Sequence, residues 1–128
     1  MQYLLLIYDE EKNWETMSDE ERNGLFGEYG AYTQALQASG KMAGGNALQP
    51  TTTATTVRVR DGEQVVTDGP FAETKEQLGG YYLIEAKDLD EAIEAAARIP
   101  GARRGSIEVR PILDLPSTDS SEAVAAAG

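Results

Sequence analysis

The order of elements read from this 128-residue chain, β-α-β-β-β-β-α-β, predicts an α+β domain: one antiparallel sheet with two helices on one face, elaborated by a hairpin. Three observations carry that expectation. The run Gln2 to Tyr8 (QYLLLIY) is apolar on both alternation faces, as suits a strand buried from both sides. Ser18-Asp19-Glu20-Glu21 and Asp88-Leu89-Asp90-Glu91 each place a capping side chain ahead of acids in a first helical turn, where the helix dipole favours negative charge. Asp61-Gly62, flanked by Thr55 to Arg60 and Glu63 to Thr67, is the signal for a two-residue type I′ hairpin.

Taken in order, the first strand gives way to a loop through Asn13 and Trp14. The first helix then runs from the Ser18 cap to Gly40, with Leu25, Phe26, Tyr29, Tyr32 or Thr33, and Leu36 at helical spacing. Gly24, Gly27 and Gly30 lie inside it at i, i+3, i+6, each costing roughly 1 kcal/mol against alanine. They are either drift on a solvated surface or a face that approaches a sheet or second subunit closely. Lys41 to Leu48 is a weak strand with a Gly-Gly bend, closed by Gln49-Pro50.

The hairpin turn sets Arg60 opposite Glu63, Val59 opposite Gln64 and Val57 opposite Val66. Asp68 then shares a face with Val57 and Val59, and if those valines mark a covered face, its carboxylate is aimed at the open end of a cleft. Gly79 to Ala86 forms another strand, with Tyr82 and Ile84 on one face and Tyr81 and Leu83 on the other. The second helix follows, with Leu89, Ile93, Ala96 and Ala97 as its stripe, ended by Pro100-Gly101. Ser106 to Leu113 is the last strand, with Pro111 marking an edge. The order fits a ferredoxin-like topology. Its sheet would need a cover on the face away from the helices, and dimerisation is the economical solution. Residues 1–114 make one domain, and 115–128 are expected to be a disordered tail.

Composition removes several function classes. Acidic residues outnumber basic ones 22 to 11, giving a net charge of −11, which argues against nucleic-acid or anionic-membrane partners. No cysteine means no disulfide or thiolate chemistry, and no histidine removes the usual zinc ligand and the usual neutral-pH general base. No metal-ligand spacing and no phosphate-loop pattern is present, so no cofactor is expected. The N-terminal run lacks a basic flank and is too short for a membrane span, which predicts a cytoplasmic protein.

The residues left to carry chemistry centre on Asp68-Gly69-Pro70-Phe71. Gly69 and Pro70 would fix the backbone after Asp68, and Phe71 would lower the polarity around the carboxyl, as acid–base work requires; the plainer alternative is a turn in which Asp68 bonds backbone amides. Lys75 would hold an anion and Glu73 would be a second carboxylate, unless both belong to a solvated loop. Tyr8 and Tyr82 are either core residues or phenolic donors. Arg58 beside the hairpin and Gln49 at the end of the weak strand complete the candidate ligand-binding set.

Tyr3-Leu4-Leu5-Leu6-Ile7-Tyr8, Leu48-Gln49-Pro50, Thr55-Thr56-Val57-Arg58 and above all Thr67-Asp68-Gly69-Pro70-Phe71-Ala72-Glu73-Thr74-Lys75-Glu76-Gln77-Leu78-Gly79-Gly80-Tyr81 resemble the DGPF-domain proteins of the YCII-related superfamily, over residues 1 to 113. The resemblance implies a dimeric α/β barrel and a pocket near the DGPF turn, between the sheet and the partner subunit. It also implies an acid–base reaction in related branches through a His–Asp pair, with Asp68 matching the aspartate. The histidine has no counterpart in this chain. Two functions follow as expectations: a small-molecule-binding homodimer that performs proton-transfer or lyase-type chemistry through Asp68, or a non-catalytic regulatory or ligand-sensing module associated with an extracytoplasmic-function sigma factor.

Overall fold

Strand β1 (Gln2–Asp9) lies between β5 (Gln77–Glu85) and β6 (Ser106–Pro111), antiparallel to both, and β2 (Met42–Ala47) adds to the far edge of β5. The order β2-β5-β1-β6 is that of a ferredoxin-like α+β sheet. This computed structural model describes residues 1–115, so the tail expected from residue 115 onward lies, Leu115 apart, outside the described residues. Among the described residues no helix is long and apolar enough to cross a membrane.

Register explains the core. Tyr3 pairs with Ile84 and Leu5 with Tyr82 on β5, while Leu5 also faces Val109 on β6. These side chains point to one face, where Leu5 and Ile84 are fully buried with Leu36, Ala92, Ala96 and Ile99 of the helical layer. The intervening residues Leu4, Leu6, Tyr81 and Leu83 point to the opposite face, which no helix among the described residues covers, and they are only half-buried.

Helix α2 (Asp19–Ala38) starts where the cap predicts: Ser18 Oγ accepts the Glu21 amide, and Gly40 ends the helix at a φ of +75°. It rests on the sheet by its C-terminal half, through Tyr29, Tyr32 and Leu36. Its N-terminal half stands off, and Phe26 is 61% exposed. A Cβ built on Gly24, Gly27 or Gly30 meets nothing within 4 Å, so within the protomer these glycines serve no close approach.

The structure corrects two expectations. The loop predicted through Asn13 and Trp14 is instead a short helix, α1 (Glu11–Thr16). Six residues are too few to display a helical period, and tertiary contacts hold this one in place. Arg22 donates to the carbonyls of Trp14 (3.1 Å) and Glu15 (3.0 Å), satisfying the open C-terminal end of α1. In α3 (Leu89–Ala97) the buried residues are Ala92 and Ala96, whereas Leu89 and Ile93 are both 49% exposed. Two alanines at i, i+4 let this helix lie close to the sheet and leave its larger residues on the flank.

Strands β3 (Thr55–Arg60) and β4 (Glu63–Asp68) form a separate two-stranded ribbon with the expected register. Asp61 and Gly62 take φ of +53° and +77°, the geometry of the type I′ turn. The face carrying Val57, Val59 and Val66 is uncovered, however, with those side chains 54–64% exposed. Asp68 has the predicted parity, but the described residues supply nothing for that face to be buried against.

Because Gly27 is helical and has open space around its Cα, Gly27→Ala is expected to stabilise the protein by roughly 0.5–1 kcal/mol, read as a higher urea midpoint at unchanged slope.

Candidate functional site

The stand-off of α2 creates a cleft of about 680 Å³ between α1, the N-terminal half of α2 and the helix-facing side of β1, β2 and β5. Its wall is aromatic and aliphatic: Trp14, Leu25, Phe26, Tyr29 and Tyr82, with Ile7 beneath. Trp14 and Phe26 meet edge to face at 5.2 Å, and the Arg22 guanidinium lies 5.8 Å from the Trp14 ring.

Polar groups converge at one end. Asp9, the last residue of β1, accepts the Glu10 amide (2.8 Å) and Asn13 Nδ2 (3.2 Å) through Oδ1. Its Oδ2 lies 3.8 Å from the Arg104 guanidinium, whose other polar contact among the described residues is the Met17 sulfur. Arg104 therefore keeps most of its donor capacity for a ligand. Glu11 is committed elsewhere, its two oxygens accepting the amide and hydroxyl of Thr51 at 2.7 and 2.8 Å. Gln77 donates to Thr74 O (2.6 Å) and accepts the Glu11 amide (2.9 Å), tying the end of the β4–β5 loop to the start of α1.

Tyr29 is seated by Gly101. The Gly101 amide donates to the phenolic oxygen at 3.1 Å, and a Cβ on Gly101 would stand 2.6 Å from that oxygen, so any larger residue there would force the Tyr29 side chain to move. The phenol's own proton is left for another acceptor. Burial raises the Tyr29 pKa above the ordinary phenol value, and the Gly101 hydrogen bond partly opposes this, as does Arg104; Tyr82 and Asp9 add to the rise. Behind it, Tyr32 donates to Ala95 O at 2.8 Å, and its pKa is pushed up to about 12, chiefly by burial and then by Tyr82. Tyr82 Oη shares a 2.8 Å hydrogen bond with Thr33 Oγ1. The arrangement gathers a carboxylate acceptor, a phenolic donor and a guanidinium at the end of an apolar slot. Such a set can bind an organic molecule with a polar head and can move a proton at that head.

Of the residues singled out from sequence, Gln49 and Tyr82 line this cleft. Tyr8 points to the opposite sheet face, where its hydroxyl donates to Glu108 (3.4 Å). Asp68, Phe71, Glu73 and Lys75 lie outside the cleft and are exposed, Phe71 at 76%. Arg58 also lies outside it and donates to Phe71 O at 3.2 Å. The turn itself is held by backbone: Gly69, at φ +105°, donates to Ala54 O (2.7 Å), and its own carbonyl accepts from Thr56 Oγ1 (2.8 Å). Sequence reading missed Asp9, Trp14, Tyr29, Gly101 and Arg104. Tyr29 was visible as part of a helical stripe, and Gly101 only as a helix stop; nothing in the order of residues says that they touch.

Among the described residues no group of three or more carboxylates, histidines or cysteines is arranged to hold a metal ion. The family model for the YCII-related domain matches residues 1–116. The chain is also similar to an uncharacterized protein of Rhizobium meliloti (strain 1021), 42% identical over 114 residues, which are 88% of this chain and 92% of that one.

Two measurements check the tyrosine environment. The folded state holds these phenolic protons more firmly than the unfolded chain, where tyrosine titrates near pH 10, so their contribution is fully present below about pH 10. It is lost as pH rises toward the Tyr32 value of about 12. Unfolding free energy should therefore fall over that window, by an amount on the order of 1–2 kcal/mol after allowance for partial solvent screening, read as a lower melting temperature, and Tyr32→Phe should flatten the fall. Gly101→Ala should displace the Tyr29 ring, costing roughly 1–3 kcal/mol in urea denaturation and changing the near-ultraviolet circular dichroism of the cleft aromatics.

Proposed function

The chain belongs to the YCII-related domain family, and from that premise we propose that it binds a small organic molecule in the cleft between α1, α2 and the sheet, and works as a homodimer. The observation that carries this reading is the convergence of Asp9, Tyr29 and Arg104 at one end of a slot walled by Trp14, Phe26 and Tyr82. Its volume of about 680 Å³ falls in the range of small-molecule sites. The apolar body of the ligand lies along the aromatic wall, and its polar head meets Arg104 and the Tyr29 hydroxyl. Proton-transfer chemistry on such a ligand would use Asp9 as acceptor and Tyr29 as donor.

The homodimer reading is supported by the uncovered sheet face, where Leu4, Leu6, Tyr81 and Leu83 form a continuous apolar surface. Two such faces packed together would give the α/β barrel implied by the family resemblance and remove a sheet surface that water would otherwise wet. Asp68 keeps a place in the proposal as the carboxylate matched by that resemblance. It makes no hydrogen bond or ion pair among the described residues, so its oxygens are free for a ligand or partner-subunit group at the DGPF turn.

A second reading, a non-catalytic regulatory or ligand-sensing module for an extracytoplasmic-function sigma factor, is favoured by the absence of histidine and cysteine and by the net charge of −11, which suits a basic protein surface.

A thermal-shift screen of metabolites against wild type, Asp9→Asn, Tyr29→Phe and Asp68→Asn separates these cases. A compound at a hundredfold excess over its Kd should stabilise wild type by about 2.7 kcal/mol, a rise of several degrees, and lose much of that effect in Asp9→Asn and Tyr29→Phe. Loss confined to Asp68→Asn would put the ligand at the DGPF turn instead. Shifts equal in all four proteins would remove both sites, and turnover of the compound would exclude the sensing module as the whole account.

A further inference from the structure

The β3–β4 ribbon leaves the body of the protein at Pro50–Ala54 and returns at Gly69–Gln77. Each of its six β4 residues is exposed, and Val57, Val59, Val65 and Val66 are 43–64% exposed. A two-stranded ribbon standing alone in water is marginally stable at best, because neither face is removed from solvent. Its outer edges are also unpaired, which leaves two rows of free backbone groups. The ribbon nevertheless has a well-formed turn and a regular register, and Val57, Val59 and Val66 sit together with Gln64 on one face whose single charged residue, Asp68, lies at the base of the ribbon.

We propose that the β3–β4 ribbon is an intersubunit arm, and that its Val57–Val59–Val66 face packs on a second copy of this chain. This inference rests on the homodimer reading above and extends it. Three features favour a second copy as the occupant. The same chain carries an uncovered apolar surface on its sheet, so a symmetric pair offers each arm a matching counterpart. Charge agrees in sign: the ribbon face behind the valines presents Arg58 and Arg60 against Glu63, a net positive surface, while the chain as a whole carries 22 acids against 11 bases. The area also fits a contribution of this kind. Half-exposed valines offer roughly 60 Å² each, so the three on each of two arms supply on the order of 360 Å², about a third of the ~1,200 Å² a stable interface needs. Arms therefore add to a sheet-face interface and do not replace it. The segment beyond residue 115 is a poor alternative cover, since its only large aliphatic residue is Val124.

The test is sedimentation equilibrium of the full chain as wild type, as the triple variant Val57→Thr, Val59→Thr, Val66→Thr, and as Arg60→Gln, with amide hydrogen exchange followed across a dilution series. The threonines keep shape and strand preference, and unchanged far-ultraviolet circular dichroism checks folding. The expected result is a dimer whose dissociation constant rises at least tenfold in the triple variant and severalfold in Arg60→Gln. Arm amides of wild type should be protected at high concentration and exposed on dilution. A wild type that stays monomeric overturns both the dimer and the arm. A wild-type dimer with the same dissociation constant in the triple variant overturns the arm alone. Arm protection that persists in the monomer but vanishes on truncation after Leu115 overturns it in favour of the chain's own tail.

Discussion

Helix α2 is anchored at one end only, and the candidate site depends on that asymmetry. Tyr29, Tyr32 and Leu36 fix its C-terminal half to the core, with Tyr32 bonded to Ala95 O and Tyr29 to the Gly101 amide. Were Leu25 and Phe26 packed on the sheet in the same way, the space that holds a ligand would be filled by side chains. The glycines at 24, 27 and 30 weaken the helix where it stands off, and the acids Asp19, Glu20 and Glu21 in its first turn offset part of that through the helix dipole.

A consequence is that α1 and α2 brace each other rather than the sheet. Arg22 joins the carbonyl end of α1 to Asp19 on α2 and lies against Trp14, while Phe26 completes the aromatic contact. The roof of the cleft is thus a small unit tied down at Glu11 through Thr51 and Gln77 and at Tyr29 through Gly101. Each tie is a hydrogen bond worth about 1 kcal/mol net, less than the burial that holds Leu5 and Ile84, so the roof is held more weakly than the core.

How far the fold could be read from sequence follows from the range of each signal. Ser18, Gly40, Asp61-Gly62 and the alternation in β1 and β5 act over a few residues, and the structure follows them closely. α1 was missed because its reason to be helical lies with Arg22 and Thr51, not in its own six residues. In α3 the apolar period was visible, but which part of the stripe faces inward depends on how close the helix approaches, and that favours Ala92 and Ala96 over Leu89 and Ile93. At the site the limit was sharper. Tyr82 and Gln49 were found; Asp9, Tyr29, Arg104 and Gly101 come together from β1, α2 and the segment after α3, and no local pattern records a meeting across 72 residues such as that of Tyr29 with Gly101. The DGPF stretch is conspicuous in sequence because its turn chemistry is dense and local, although its residues lie outside the cleft.

The pairing of β2 with β5 has an implication for how the length of this protein can vary. The Leu48 amide donates to Gly79 O at 2.9 Å, so the chain leaves and re-enters the sheet at adjacent points. Apart from Gln77 and Leu78, which pair with Asp9 and Tyr8 of β1, the stretch between, residues 49–76 with the arm and the DGPF turn, is a detour that the sheet does not need for its own hydrogen bonds. Closing a loop of that length costs only slightly more than closing one half as long, because the entropy grows with the logarithm of length. The four-stranded sheet is therefore indifferent to what is inserted there, and the detour is the natural place for relatives of this fold to gain, shorten or lose a module while the hydrophobic core around Leu5 and Ile84 stays the same.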